Sequence, residues 1–140
     1  MKEQFVTYEI TLKLKELGFN EECLAAFSDD EYHDLLHLCE NHTEGNFTIE
    51  SSRYRIKAPL WQQAIDWFLK KKHLYIDITF KEVKGPKIEG INSVYFDIEI
   101  YSIFGGDAWK KYRFSEISDD YYYAREQAIL KAIEICKENL

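Results

Sequence analysis

Leu74-Tyr75-Ile76-Asp77-Ile78-Thr79-Phe80 decides the fold: Leu74, Ile76, Ile78 and Phe80 are apolar, and Tyr75, Asp77 and Thr79 alternate with them. A hydrophobic period of two is the mark of a strand with one dry and one wet face. Residues 94–101 repeat it, setting Val94, Phe96, Ile98 and Ile100 against Tyr95, Asp97, Glu99 and Tyr101. A third run, 109–114, sets Tyr112 and Phe114 on one side and Trp109, Lys111 and Arg113 on the other. Three such runs in succession predict an antiparallel meander. Its wet face gathers the cations Lys111 and Arg113 beside the carboxylates Asp77, Asp97 and Glu99, which relieves like-charge repulsion between neighbouring strands.

Helices are expected on either side of the meander. Upstream, Pro59 is suited to the first helical position, where its missing N–H costs nothing, and Leu60, Ala64, Trp67 and Phe68 then share a face, with Trp61 and Ile65 beside it. Lys70, Lys71 and Lys72 complement the negative helix end. Six residues separate Trp61 from Trp67, about 120° around a helix, so Trp67 is expected in the core and Trp61 at its edge. Downstream, Ser118-Asp119-Asp120 offers N-caps for a helix over 121–138, with Tyr121, Ala124, Ala128, Ala132 and Ile135 along one side and Ile129, Ile133 and Cys136 flanking them. Its small alanines allow a close approach to a sheet.

The N-terminal half is less regular. Val6, Ile10, Leu14 and Leu17 give helical spacing over 5–17, and Gly18 follows as a left-handed C-terminal cap. The apolar run 23–27 reads as a strand and Asp29-Asp30 as a turn. Residues 32–40 fit either a helix through Tyr32, Leu35, Leu36 and Cys39 or the second strand of a hairpin, which the turn favours. Residues 41–52 read as a loop or weak edge strand, and 54–57 as a short extended piece. The sum is an α+β fold: a three-stranded antiparallel meander with two helices on one face, preceded by an N-terminal helix and a β-hairpin. At 140 residues it is expected to form a single domain, 1–140.

Composition narrows the function classes. The net charge of -7 arises from acidic and basic residues mixed along the chain, so no basic stripe is present to neutralise a phosphate backbone, and nucleic acid is not expected as a partner. The 10 Tyr, 9 Phe and 3 Trp exceed what a core of this size absorbs, which turns some tyrosines toward solvent or a partner. Three widely spaced cysteines fit reduced thiols in a cytoplasmic protein better than a disulfide framework. The chain lacks an apolar run of membrane-spanning length, and its N-terminus lacks the apolar stretch of a signal peptide.

Three segments carry a resemblance: residues 5–10 running on to Leu17-Gly18-Phe19, Ala58-Pro59-Leu60-Trp61-Gln62-Gln63-Ala64-Ile65-Asp66-Trp67-Phe68, and Ala124-Arg125-Glu126-Gln127-Ala128-Ile129-Leu130-Lys131-Ala132-Ile133-Glu134. Together the chain resembles the short uncharacterised proteins of gut Bacteroidetes and their phages or prophages. The tryptophan segment is the specific part; residues 41–52 depart from the pattern. The resemblance implies a phage or mobile-element origin and no known activity or cofactor. The order helix, three strands, helix is also that of double-stranded RNA-binding domains. Those domains hold phosphates with lysines at the start of the last helix, where this chain has Asp119, Asp120 and three tyrosines, so the likeness extends to topology and not to function.

Two constellations invite chemistry. His33, His37, Cys39 and His42 lie within ten residues; on a strand His33, His37 and Cys39 share a side and resemble a soft-ligand set for zinc. Their spacing matches no standard zinc pattern, so no metal or other cofactor is expected, and a small metal-binding or enzymatic module built there is the alternative reading. The wet sheet face, with Tyr75, Tyr95, Tyr101, Trp109, Lys111 and Arg113 around its carboxylates, is the candidate binding surface. Paired carboxylates catalyse only where a pocket drives their pKa values apart, and an open, ion-paired face does not. Gly105-Gly106-Asp107 reads as a turn, without a phosphate-binding fingerprint around it. The expectation is a non-catalytic accessory protein that binds a protein partner or a second copy of itself.

Overall fold

The computed structural model describes residues 4–27, 36–38, 56–82, 94–104, 107–116 and 120–138. The chain forms two compact units, Met1–Asp66 and Trp67–Leu140. The architecture is α+β: three helices and two three-stranded antiparallel sheets among the described residues.

The first unit opens with α1, Tyr8–Glu16. It begins three residues later than the hydrophobic spacing predicts, because Thr7 caps it: the Thr7 Oγ1 accepts from the Ile10 N–H at 3.4 Å. Phe5 instead bridges Leu60, and the Val6 N–H donates to the Pro59 carbonyl at 2.9 Å. The helix ends as Gly18 requires. With φ at +100°, Gly18 lets its own N–H reach the Lys15 carbonyl and the Phe19 N–H reach the Leu14 carbonyl, both at 3.0 Å, the paired bonds of a Schellman cap.

The sheet of this unit has the order β2-β1-β3, built from β1 (Ala25–Phe27), β2 (Leu36–Leu38) and β3 (Ile56–Ala58). The hairpin reading of residues 32–40 therefore holds for Leu36–Leu38, which pair antiparallel with β1. Phe5, Ala25, Phe27, Ile56 and Ala58 form a buried cluster against which Tyr8, Leu12, Leu36 and Leu60 pack, with the Tyr8 and Phe27 rings edge to face at 5.5 Å. His33, Cys39 and His42, and all of 41–52, lie outside the described residues.

The helix α2 is Trp61–Lys72, and the division between units falls within it. Pro59 is not its first residue. Leu60 takes the capping place, its carbonyl accepting from the Ala64 N–H at 3.0 Å, and Pro59 stands one position earlier. Both tryptophans are buried, Trp61 at 5% and Trp67 at 3% exposure, against the expectation that one would rest at the core edge. Trp61 belongs to the first unit and Trp67 to the second. At the end of α2, His73 adopts a left-handed φ of 56° and the chain turns directly into the next strand.

The second unit holds the meander in the order β4-β5-β6: β4 (Leu74–Glu82), β5 (Val94–Phe104) and β6 (Asp107–Glu116). Cross-strand rows follow the period of two. Ile76, Ile100 and Tyr112 form one row and Ile78, Ile98 and Phe114 the next. Over this side runs α3, Tyr121–Glu138, its start fixed by the Asp120 carboxylate, whose Oδ1 accepts from the N–H groups of Tyr122 at 2.9 Å and Tyr123 at 3.3 Å. Ala124, Ala128, Ile129 and Ala132 are fully buried, and α3 crosses β4 and β5. Tyr121 meets Phe96 edge to face at 5.7 Å, and the Lys131 ammonium sits 3.8 Å from the centre of the Tyr112 ring.

Candidate functional site

The face of the second sheet opposite α3 carries the other parity of residues. Its rows are Tyr75 with Tyr101, then Asp77 with Glu99 and Arg113, then Thr79 with Asp97 and Ser115, then Lys81 with Tyr95. Two carboxylates on one central strand, two residues apart, must share a face. Opposite them β6 supplies one cation.

Arg113 joins both. Its Nε donates to the Asp97 Oδ1 at 3.3 Å and its Nη2 to Oδ2 at 3.0 Å, while Nε lies 3.3 Å from the Glu99 Oε1. The two-pronged arrangement uses the planar fork of the guanidinium, and the hydrogen bond to Asp97, followed by the charges of Asp97 and Glu99, raises the Arg113 pKa above its usual value. The Asp97 side chain is only 7% exposed under this clamp, whereas Arg113 is 59% exposed. The second oxygen of Glu99 accepts a hydrogen bond from the Tyr101 hydroxyl. That bond holds the Tyr101 proton and raises the phenol above its ordinary pKa. Asp77 accepts from the Thr79 hydroxyl at 3.3 Å. Beyond it the rings of Tyr75 and Tyr101 lie 6.5 Å apart, with Tyr75 44% exposed.

The result is a fixed polar lattice bordered by half-exposed rings. Asp97, Glu99 and Tyr101 each hold a defined partner, which suits the face to presenting a stable pattern of charge and aromatic area. Proton transfer needs an acid and a base driven toward the working pH; here the phenol is driven away from it.

Four of the six residues expected on this face are on it: Tyr75, Tyr95, Tyr101 and Arg113. Trp109 is not, and Lys111 leaves the ladder. The register shifts after Ile100, which faces Tyr112, so that Tyr101 faces Lys110 and Ser102 faces Trp109; Lys111 is skipped. Trp109 thus joins the row of Leu74 and Ser102, on the α3 side, where it is 67% exposed. One extra residue in β6 inverts the parity of everything on its far side, so Trp109 takes the row opposite to the one strict alternation assigns.

Among the described residues the other chemistry-bearing groups give no second site. Cys23 is buried, its Sγ 3.5 Å from the Glu21 carbonyl oxygen, and burial pushes its pKa up to about 12 despite Lys57. Burial also raises the Cys136 thiol. Of the histidine and cysteine set only His37 falls in a described strand, β2, and among the described residues no group of three or more His, Cys, Asp or Glu is placed to hold a metal ion. No helix among them is long and apolar enough to cross a membrane. Comparison with protein families, with curated proteins and with solved structures gives no match to this chain.

Proposed function

We propose that the protein is a non-catalytic, cytoplasmic accessory protein that binds a protein partner on the face of β4, β5 and β6 opposite α3. The observation that carries this reading is the Asp97–Arg113–Glu99–Tyr101 lattice: it fixes two carboxylates, a half-exposed cation and the Tyr75 and Tyr101 rings in one arrangement before any partner arrives. Pre-ordered aromatic and guanidinium groups contribute area and directional bonds at low entropic cost, the composition favoured at the centres of interfaces. A phage or mobile-element origin belongs to the same proposal and is supported by the resemblance of residues 58–68 and 124–134.

The test is affinity capture from the producing cell with the wild-type chain and with Tyr95→Ala/Tyr101→Ala, followed by titration of the purified captured protein. The reading expects an intact fold by circular dichroism and a dissociation constant raised by tenfold or more, about 1 to 2 kcal/mol per true anchor. Equal affinity of the two chains for every captured protein would overturn it.

A further inference from the structure

The meander has two edges among the described residues, β4 and β6, and they differ. The β6 edge is interrupted by the bulge at Lys111, a device that discourages pairing with another chain. The β4 edge pairs with β5 over nine residues without a shift and contains neither proline nor glycine. Its hydrogen-bonding phase is set by one contact: the Ile103 N–H donates to the His73 carbonyl at 2.7 Å. Antiparallel alternation then turns the N–H and C=O groups of odd-numbered β4 residues toward β5, and those of Leu74, Ile76, Ile78, Phe80 and Glu82 outward.

We propose that β4 pairs antiparallel with the β4 of a second copy of this chain, about a two-fold axis at Ile78, to give a continuous six-stranded sheet. The sequence of the edge complements itself in that register. Ile78 faces Ile78, Ile76 faces Phe80, Tyr75 faces Lys81 and Asp77 faces Thr79, while Leu74 faces Glu82. Outward-facing residues meet outward-facing residues at every step, so the pairing gives these backbone groups about ten hydrogen bonds. Phe80, 59% exposed and touching Phe96 at 5.4 Å, gains a second apolar neighbour. Tyr75, 44% exposed, gains a cation within reach of its ring. Neighbouring registers of the same phase are poorer: centring on Asp77 opposes two carboxylates, and centring on Thr79 shortens the pairing and sets Ile76 against Glu82. The second copy is thus the occupant that the charge and apolar pattern of the edge fits. Because the axis is normal to the sheet, the two lattices of Arg113 and its carboxylates share one side and the two α3 helices share the other.

Sedimentation velocity of the full chain over a dilution series, with amide exchange followed by NMR, tests this. The expected result is a dimer at about 100 µM that dissociates on dilution, as suits an interface below about 1,200 Å². Amide exchange at Ile76, Ile78 and Phe80 is slowed tenfold or more in the concentrated sample alone. Tyr75→Lys, which opposes Lys81 of the second copy, weakens association at least tenfold, and Tyr75→Lys/Lys81→Glu recovers it. A monomer at every concentration, a dimer whose even-numbered β4 amides exchange at the dilute rate, or a Tyr75→Lys loss that Lys81→Glu does not recover would each overturn the proposal.

Discussion

The two sheets solve the same problem at different scales. In the first, the central strand β1 is only three residues long and is covered on both sides: Ala25, Ala26 and Phe27 are all buried, and burial shows no alternation. In the second, strands of nine to eleven residues are apolar on the side of α3 and polar on the other, with Ile98 and Ile100 fully buried beside the partly buried Glu99 and Tyr101. A short strand covered on both sides has no surface left with which to recognise anything. A long strand covered on one side presents every second residue, and in this chain those residues form the lattice around Arg113.

Truncation of the buried aromatic of the first sheet should have the largest effect. Phe27→Ala removes a ring that touches Tyr8 and fills the cluster with Phe5 and Ile56, and should cost about 3 to 5 kcal/mol. Ile98→Ala, on the dry side of the second sheet, should cost about 2 to 5 kcal/mol. Urea unfolding measures both; losses below about 1 kcal/mol would show that these side chains do not anchor their sheets.

Asp97→Ala probes the polar side. It removes a nearly buried carboxylate that accepts both prongs of Arg113, and the expected loss is about 1 to 3 kcal/mol, short of the core values because Arg113 can return to water. Equality with Ile98→Ala would make this face structural in the same sense as the dry one.

Two backbone substitutions sharpen the description of the turns that begin each sheet. Gly18→Ala places a side chain at φ +100° and should cost about 1 kcal/mol, through strain alone, since a Cβ there meets nothing within 4 Å. His73→Gly relieves the left-handed φ of 56° and should stabilise by up to about 1 kcal/mol. Thermal unfolding should move in opposite directions for the pair.

The smallest effect at neutral pH is that of Cys23. Its folded pKa, about 12, exceeds the ordinary 9.0, so the stability contributed by the protonated thiol is complete below pH 9 and falls as pH rises toward 12. Tyr101, also raised, acts in the same direction above pH 10. Native Cys23 should resist a maleimide at pH 8 that labels it in urea, and Cys23→Ala should flatten the alkaline loss. Rapid labelling at Cys23 itself in the folded chain, located by peptide mass mapping, would contradict its burial.

The same contrast explains what was legible in the sequence. The alternation of β4 and β5 and the Asp120 cap of α3 are local patterns, and each element lies where its pattern predicts. The three-residue strands of the first sheet carry too few side chains for a period, and only the turn at Asp29-Asp30 pointed to the hairpin. Burial of both tryptophans is set by tertiary packing, which helical spacing does not encode. Four of the six candidate binding residues followed from parity. The parity of Trp109 was lost to one bulge at Lys111, which a period of two cannot foresee. The clamp on Asp97 and the Glu99–Tyr101 bond required the register itself.

Site-specific photo-cross-linking tests the binding face most directly: p-benzoylphenylalanine is placed at Tyr95, at Tyr101 and, as a control on α3, at Tyr123, and the chain is irradiated in its producing cell. One partner should cross-link from positions 95 and 101 and be absent from position 123. Cross-links from position 123 alone, or equal yields from all three, would contradict it.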